Sequence, residues 1–218
     1  MPGIWIERGG YLREILRLLG AERWDCWWLI TGLACYQTNW PGGEKWAQEA
    51  LVLPNAELLR DVEARDMQFV WGIFSAIPSS HSLAEIAADP PPEFTDSRGR
   101  SRYLRACLLP QHPLAFLEIA AEDSTSITAV AREEEILRPL RSLSCWTEDA
   151  EASNRRFLAM EEIIGQLAAE MGYGRMNDHT HRNLCALLWR KLYHHQPRRP
   201  VRREDVEAAY LRLWKGES

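Results

Sequence analysis

Few signals that name a function by themselves occur in this chain of 218 residues. No apolar run approaches the ~20 residues that a membrane-spanning helix needs, which argues against a membrane protein. The opening "MPGIWIERGGYLREILRLLGAERW" lacks a basic segment followed by an apolar stretch and a small-residue cleavage site, so the expectation is a cytoplasmic protein. Five cysteines, Cys26, Cys35, Cys107, Cys145 and Cys185, are odd in number and include no CxxC pair. That pattern argues against a disulfide framework and a zinc knuckle, and leaves buried thiols. No glycine-rich phosphate loop, no GxSxG elbow and no internal repeat is present.

What is present is a globular composition, 46% apolar and 26% charged, with an uneven charge distribution. Residues 1–150 carry 22 Asp and Glu against 14 Lys and Arg, a balance of −8, while residues 151–218 carry 9 against 12, a balance of +3. An acidic first part repels nucleic acid and attracts basic partners.

Periodicity predicts an α+β fold, with a mixed or antiparallel sheet flanked by helices in residues 1–146 and a helical extension in residues 147–218. Leu12, Ile15, Leu16 and Leu19 are spaced as a helix, and "DCWWLITGLACYQ" reads as a strand. After a Pro-Gly-Gly loop and a short extended piece at Leu51 and Val52, a helix starts near Asn55, its expected cap. "DMQFVWGIFSAIP" (Asp66–Pro78) is apolar at both alternating sets of positions, which fits a strand covered on both faces. Ser82 and Glu85 form a capping-box pattern ahead of a short helix, and a Pro-rich loop follows. Leu114–Ala120 and Ser126–Ala131 read as a hairpin turning at Glu122–Thr125, then a helix from Glu133 to Leu143. Three helices close the chain, with Phe157, Met160, Ile164, Leu167 and Met171 on the first, Leu184, Leu187, Leu188 and Leu192 on the second, and Val206, Ala209, Tyr210, Leu213 and Trp214 on the third.

Candidate sites are sparse. His179 and His181 lie two apart and point to different faces of a helix, unlike the i, i+4 pair of helical metal sites, so neither metal nor cofactor is expected. Glu118, Glu122 and Asp123 are clustered carboxylates on a strand and its turn, and a hydrolase built on Glu118, Asp123 and His112 is one alternative. Arg198, Arg199, Arg202 and Arg203 could touch phosphates, which makes a nucleic-acid-associated regulator a second alternative. Aromatic residues for base stacking are missing there, however. Of the ten tryptophans, Trp40 and Trp46 flank the Pro-Gly-Gly loop. Trp is enriched among binding hot spots, so Trp40 and Trp46 with the nearby Glu44, Glu49, Glu57 and Asp61 are the expected partner-binding surface.

The segments "WWLI" (Trp27–Ile30), "LPNAELL" (Leu53–Leu59), "QFVWGIFSAIP" (Gln68–Pro78), "PQHPLAFLEI" (Pro110–Ile119) and "EDSTSI" (Glu122–Ile127) resemble those of a family of small bacterial proteins. That family is similar in size and acidic character to immunity proteins that neutralise polymorphic or contact-delivered toxins. The resemblance covers residues 24–145 and implies a non-enzymatic protein that binds its cognate toxin. The expectation from sequence is therefore a cytoplasmic binding protein with a protein partner.

Overall fold

A computed structural model describes residues 3–7, 12–35, 43–65, 67, 69–97, 101–105, 108–122, 126–143, 147–171, 178–193, 196 and 199–214. The chain divides into two compact units, Met1–Glu151 and Ala152–Ser218.

The first unit is built on seven strands: β1 (Gly3–Glu7), β2 (Cys26–Cys35), β3 (Ala50–Pro54), β4 (Phe69–Pro78), β5 (Leu117–Glu122), β6 (Ser126–Ala131) and β7 (Thr147–Asp149). They form one sheet in the order β3-β2-β4-β5-β6-β1-β7 with every neighbouring pair antiparallel. The fold is α+β. Both edges are short, five residues in β3 and three in β7, which limits the unpaired backbone offered to another chain.

One face of the sheet is packed by helices α1 (Leu12–Leu18), α2 (Asn55–Ala64) and α4 (Glu134–Leu137). Trp28, Ile30, Phe74, Ala76, Leu117, Ile119 and Ala129 from the strands meet Ile15, Leu16, Leu58, Val62 and Leu137 in a single core. Each large side chain in such a core contributes about 1.5–3 kcal/mol. The opposite face is covered by α3 (Leu83–Ala88), through Ile86 against Leu29 and Ile77, and by irregular chain that brings Phe94, Tyr103 and Leu108 onto Ile73, Ala120 and Val130. Cover on both sides explains why β4 shows no apolar–polar alternation.

Several local expectations change. Asn55 is the first residue of α2, following an N-cap at Pro54. Its buried side chain instead accepts from Trp28 Nε1 (2.9 Å) and donates to the carbonyls of Ala21 (2.8 Å) and Trp24 (2.9 Å), tying α2 to β2. The helix expected over 133–143 is α4 alone, followed by a tighter 3₁₀ segment Arg138–Ser142 with a proline in its first turn, where the missing N–H interrupts the α pattern. Strands β1 and β7 were not anticipated. The Ser82–Glu85 capping box is present in both directions.

The second unit contains α6 (Asp178–Leu192), α7 (Arg203–Trp214) and most of α5 (Ala150–Glu170). Met160, Ile164 and Leu167 pack with Cys185, Leu188, Tyr193, Val206 and Tyr210. Leu187, expected inside, is 42% exposed, and Cys185 takes the buried position. Among the described residues no helix is long and apolar enough to cross a membrane.

Candidate functional site

The sequence-predicted partner surface is largely internal. Trp46 is 1% exposed, its ring against Phe69 and its Nε1 donating to Asp61 (3.2 Å). This corrects its expected role as a surface anchor: a short 3₁₀ segment, Glu44–Ala47, turns the indole into the core. Asp61 is buried and Glu57 half-buried, and both receive the Lys45 ammonium at 2.6 Å. Burial opposes that ammonium charge, but hydrogen bonds to Asp61 and Glu57 outweigh it and raise the Lys45 pKa. The two acids are therefore neutralised within the fold. Glu44 and Glu49 are exposed, and Trp40 lies outside the described residues.

In the proposed hydrolytic group, the described side chains of His112 and Glu118 each bond to other groups. Asp123 lies outside the described residues. The His112 ring is fully buried and turned to backbone: the Leu114 N–H donates to Nδ1 (3.2 Å), leaving Nε2–H for the Ile86 carbonyl (3.1 Å). Glu118 is also fully buried and accepts from Tyr103 OH (2.8 Å), the Gln111 N–H (3.0 Å) and Ser75 Oγ (3.2 Å). Burial pushes the Glu118 carboxyl above its usual range, while those donors pull it back. Burial and the neighbouring Glu118 likewise raise Tyr103, which stays a donor. The cluster joins the covering loop to two strands.

A second arrangement lies on the same face. In the β4–β5 register Trp71 pairs with Glu122 and Ser75 with Glu118, and residues paired across antiparallel strands project to one side. Trp71 is 38% exposed. Its ring meets Phe94 edge-on at 5.2 Å, and Phe94 meets Tyr103 at 6.2 Å, so three aromatic rings run from the surface to the Glu118 cluster.

The loop that carries Phe94 is clasped in place. Thr31 Oγ1 donates to the Pro92 carbonyl (2.7 Å), the Arg102 N–H donates to the Phe94 carbonyl (2.7 Å), and Gln111 bonds the backbone of Glu93. Phe94 lies where β2 bulges between Thr31 and Ala34. Gly32 adopts φ +57° there, and a Cβ on it would come within 3.1 Å of the Phe94 ring.

Glu122 is half-buried, yet its Oε1 is sealed from solvent and has no hydrogen-bond partner among the described residues. Burial pushes its carboxyl up to about 7. A desolvated carboxyl beside an exposed indole suits two kinds of chemistry, exchange of a proton near neutrality or acceptance of a cation. In the sequence Glu122 groups with its acidic neighbours, and Trp71 lies in a run that fits a strand covered on both faces. The available signal was two acids four residues apart on an otherwise apolar strand, and hence on one face.

Two members of the arginine cluster are engaged locally, while Arg202 is exposed. Arg199 donates to Asp205 (3.0 Å) and to the Leu192 carbonyl (3.1 Å), and Arg203 to Gln166 (3.0 Å) and Glu170. Arg198 lies outside the described residues. No family model, no curated protein and no solved structure matches this chain, so the geometry stands without a relative beside it.

Proposed function

We propose that the protein is a non-enzymatic binding protein that receives a basic side chain of a protein partner at Trp71 and Glu122. The observation that carries this reading is Glu122 Oε1, sealed from solvent and without a hydrogen-bond partner among the described residues, next to an exposed tryptophan. A buried carboxylate without a counter-charge is costly, and a guanidinium or ammonium arriving at the accessible part of Glu122 supplies that charge. The Trp71 ring adds a cation–π surface. The −8 balance of residues 1–150 favours encounter with a basic protein.

The partner that fits best is a bacterial toxin, with this chain acting in the cytoplasm as its immunity protein. Support comes from the resemblance of residues 24–145 to a family of small bacterial proteins that is similar to immunity proteins in size and acidic character, and from the basic clefts that nuclease toxins present to substrate phosphates. The binding surface moves from the region of Trp46 and Asp61 to the opposite face of the sheet. Co-expression with the product of the adjacent gene tests the reading. The expected result is co-elution and protection of cells, both lost in Trp71→Ala and Glu122→Gln. Failure to co-elute together with no protection would overturn it.

A further inference from the structure

The helical unit holds a group of side chains that the proposed binding role does not use. Glu161 on α5 and His181 and Cys185 on α6 place one carboxylate oxygen, one imidazole nitrogen and one sulfur within 4.8 Å of one another. His181 Nε2 is 3.6 Å from Cys185 Sγ and 3.7 Å from Glu161 Oε1. His181 and Cys185 are four residues apart on one helix, so both project from the same side, and Glu161 faces them from the neighbouring helix.

The Cys185 S–H can donate to Nε2, but 3.7 Å exceeds a nitrogen–oxygen hydrogen bond, so the approach of Glu161 to the same nitrogen is not one. The two separations from Nε2 are close to those of atoms sharing a tetrahedral ion, and the sulfur and the carboxylate oxygen lie within 4.8 Å of each other. With usual zinc bond lengths, tetrahedral S and N ligands lie ~3.6 Å apart and N and O ligands ~3.4 Å. We propose that Glu161, His181 and Cys185 form a Zn²⁺ site that pins α5 to α6, with a fourth position left for water.

The ligand types support zinc over other cations. Thiolate and imidazole disfavour Mg²⁺ and Ca²⁺, which take oxygen ligands, and a thiolate–imidazole–carboxylate set suits Zn²⁺ and Co²⁺. The site is reachable: the side chains of His181 and Glu161 are 22% and 35% exposed, while Cys185 is 1% exposed at the core side. Burial, with a smaller contribution from Glu161, pushes the Cys185 thiol up to about 12. Binding therefore breaks the S–H bond, forms the S–Zn bond and releases one proton to solvent.

The test uses the untagged full-length chain, stripped with chelator and titrated with Co²⁺ and then Zn²⁺. The expected result is one Co²⁺ per chain, with a thiolate-to-cobalt charge-transfer band that Zn²⁺ abolishes. The band should vanish in Cys185→Ser, and Co²⁺ affinity should fall at least ~10-fold in His181→Gln and in Glu161→Gln, which keep the buried thiol in place. Co²⁺ bound without the band, or affinity equal in wild type and His181→Gln, would overturn the site. So would an absence of binding at micromolar metal in a wild-type chain shown by circular dichroism to be folded.

Discussion

Replacing Glu122 with Gln separates stability from binding in a way that depends on pH. Burial raises the folded carboxyl from an ordinary 4.5 to about 7. At ~1.4 kcal/mol per pKa unit, ionising Glu122 in the folded chain is disfavoured by about 3 kcal/mol, reduced toward ~2 kcal/mol because the residue is only half-buried. Between pH 4.5 and 7 the folded state holds a proton that the unfolded chain has released, so stability falls as pH rises through that window and levels off above it. The amide has no such proton. Glu122→Gln should therefore match wild type near pH 4.5 and exceed it by about 2–3 kcal/mol at pH 8, while losing partner binding. Urea unfolding followed by tryptophan fluorescence at pH 4.5, 6 and 8 reads the difference. Glu118, raised in the same direction, is present in both proteins and cancels. A variant no more stable than wild type at pH 8, or a difference independent of pH, would refute an unpaired, desolvated Glu122.

Other substitutions probe the surrounding structure. Glu118→Ala leaves the donors of Tyr103, Ser75 and Gln111 unmatched in a sealed space, and unfolding should become easier by about 3–5 kcal/mol in chemical denaturation. Trp46→Ala should cost about 3–5 kcal/mol by the same assay, because the ring is core; a loss of partner affinity at unchanged stability would restore it as a surface anchor. Gly32→Ala forces a left-handed residue against Phe94 and should cost about 1–2 kcal/mol. It should also weaken partner binding by shifting the ring that Trp71 rests on, measured by calorimetry of the purified complex.

The parts legible in sequence were those whose pattern is local. Aromatic and branched runs identified β2 and β4, Ser82 and Glu85 announced a capping box, and spaced apolar residues marked the terminal helices. β1 and β7 were missed because each is short and is recognisable mainly by its partners across the sheet, β6 and β1 respectively. Trp46 was misread because a Pro-Gly-Gly loop implies exposure, whereas Asp61 and Phe69, both distant in sequence, draw the indole inward. Asn55 looked like a cap, but Trp28 and two loop carbonyls claim its amide.

Long-range placement likewise hid the candidate site. Trp71 and Glu122 meet only through the β4–β5 register, and Phe94 reaches them from a loop that no periodicity describes. The His181–Cys185 spacing is readable along one helix, whereas Glu161 joins it only once α5 and α6 are packed.

The most direct test of the binding claim is calorimetric titration of the chain with the product of the adjacent gene at pH 6 and pH 8, in wild type, Trp71→Ala and Glu122→Gln. The account predicts tighter wild-type binding at pH 8, as Glu122 ionises through about 7, with this gain absent in Glu122→Gln and affinity reduced at both pH values in Trp71→Ala. Equal affinity and equal pH dependence in all three proteins would contradict it.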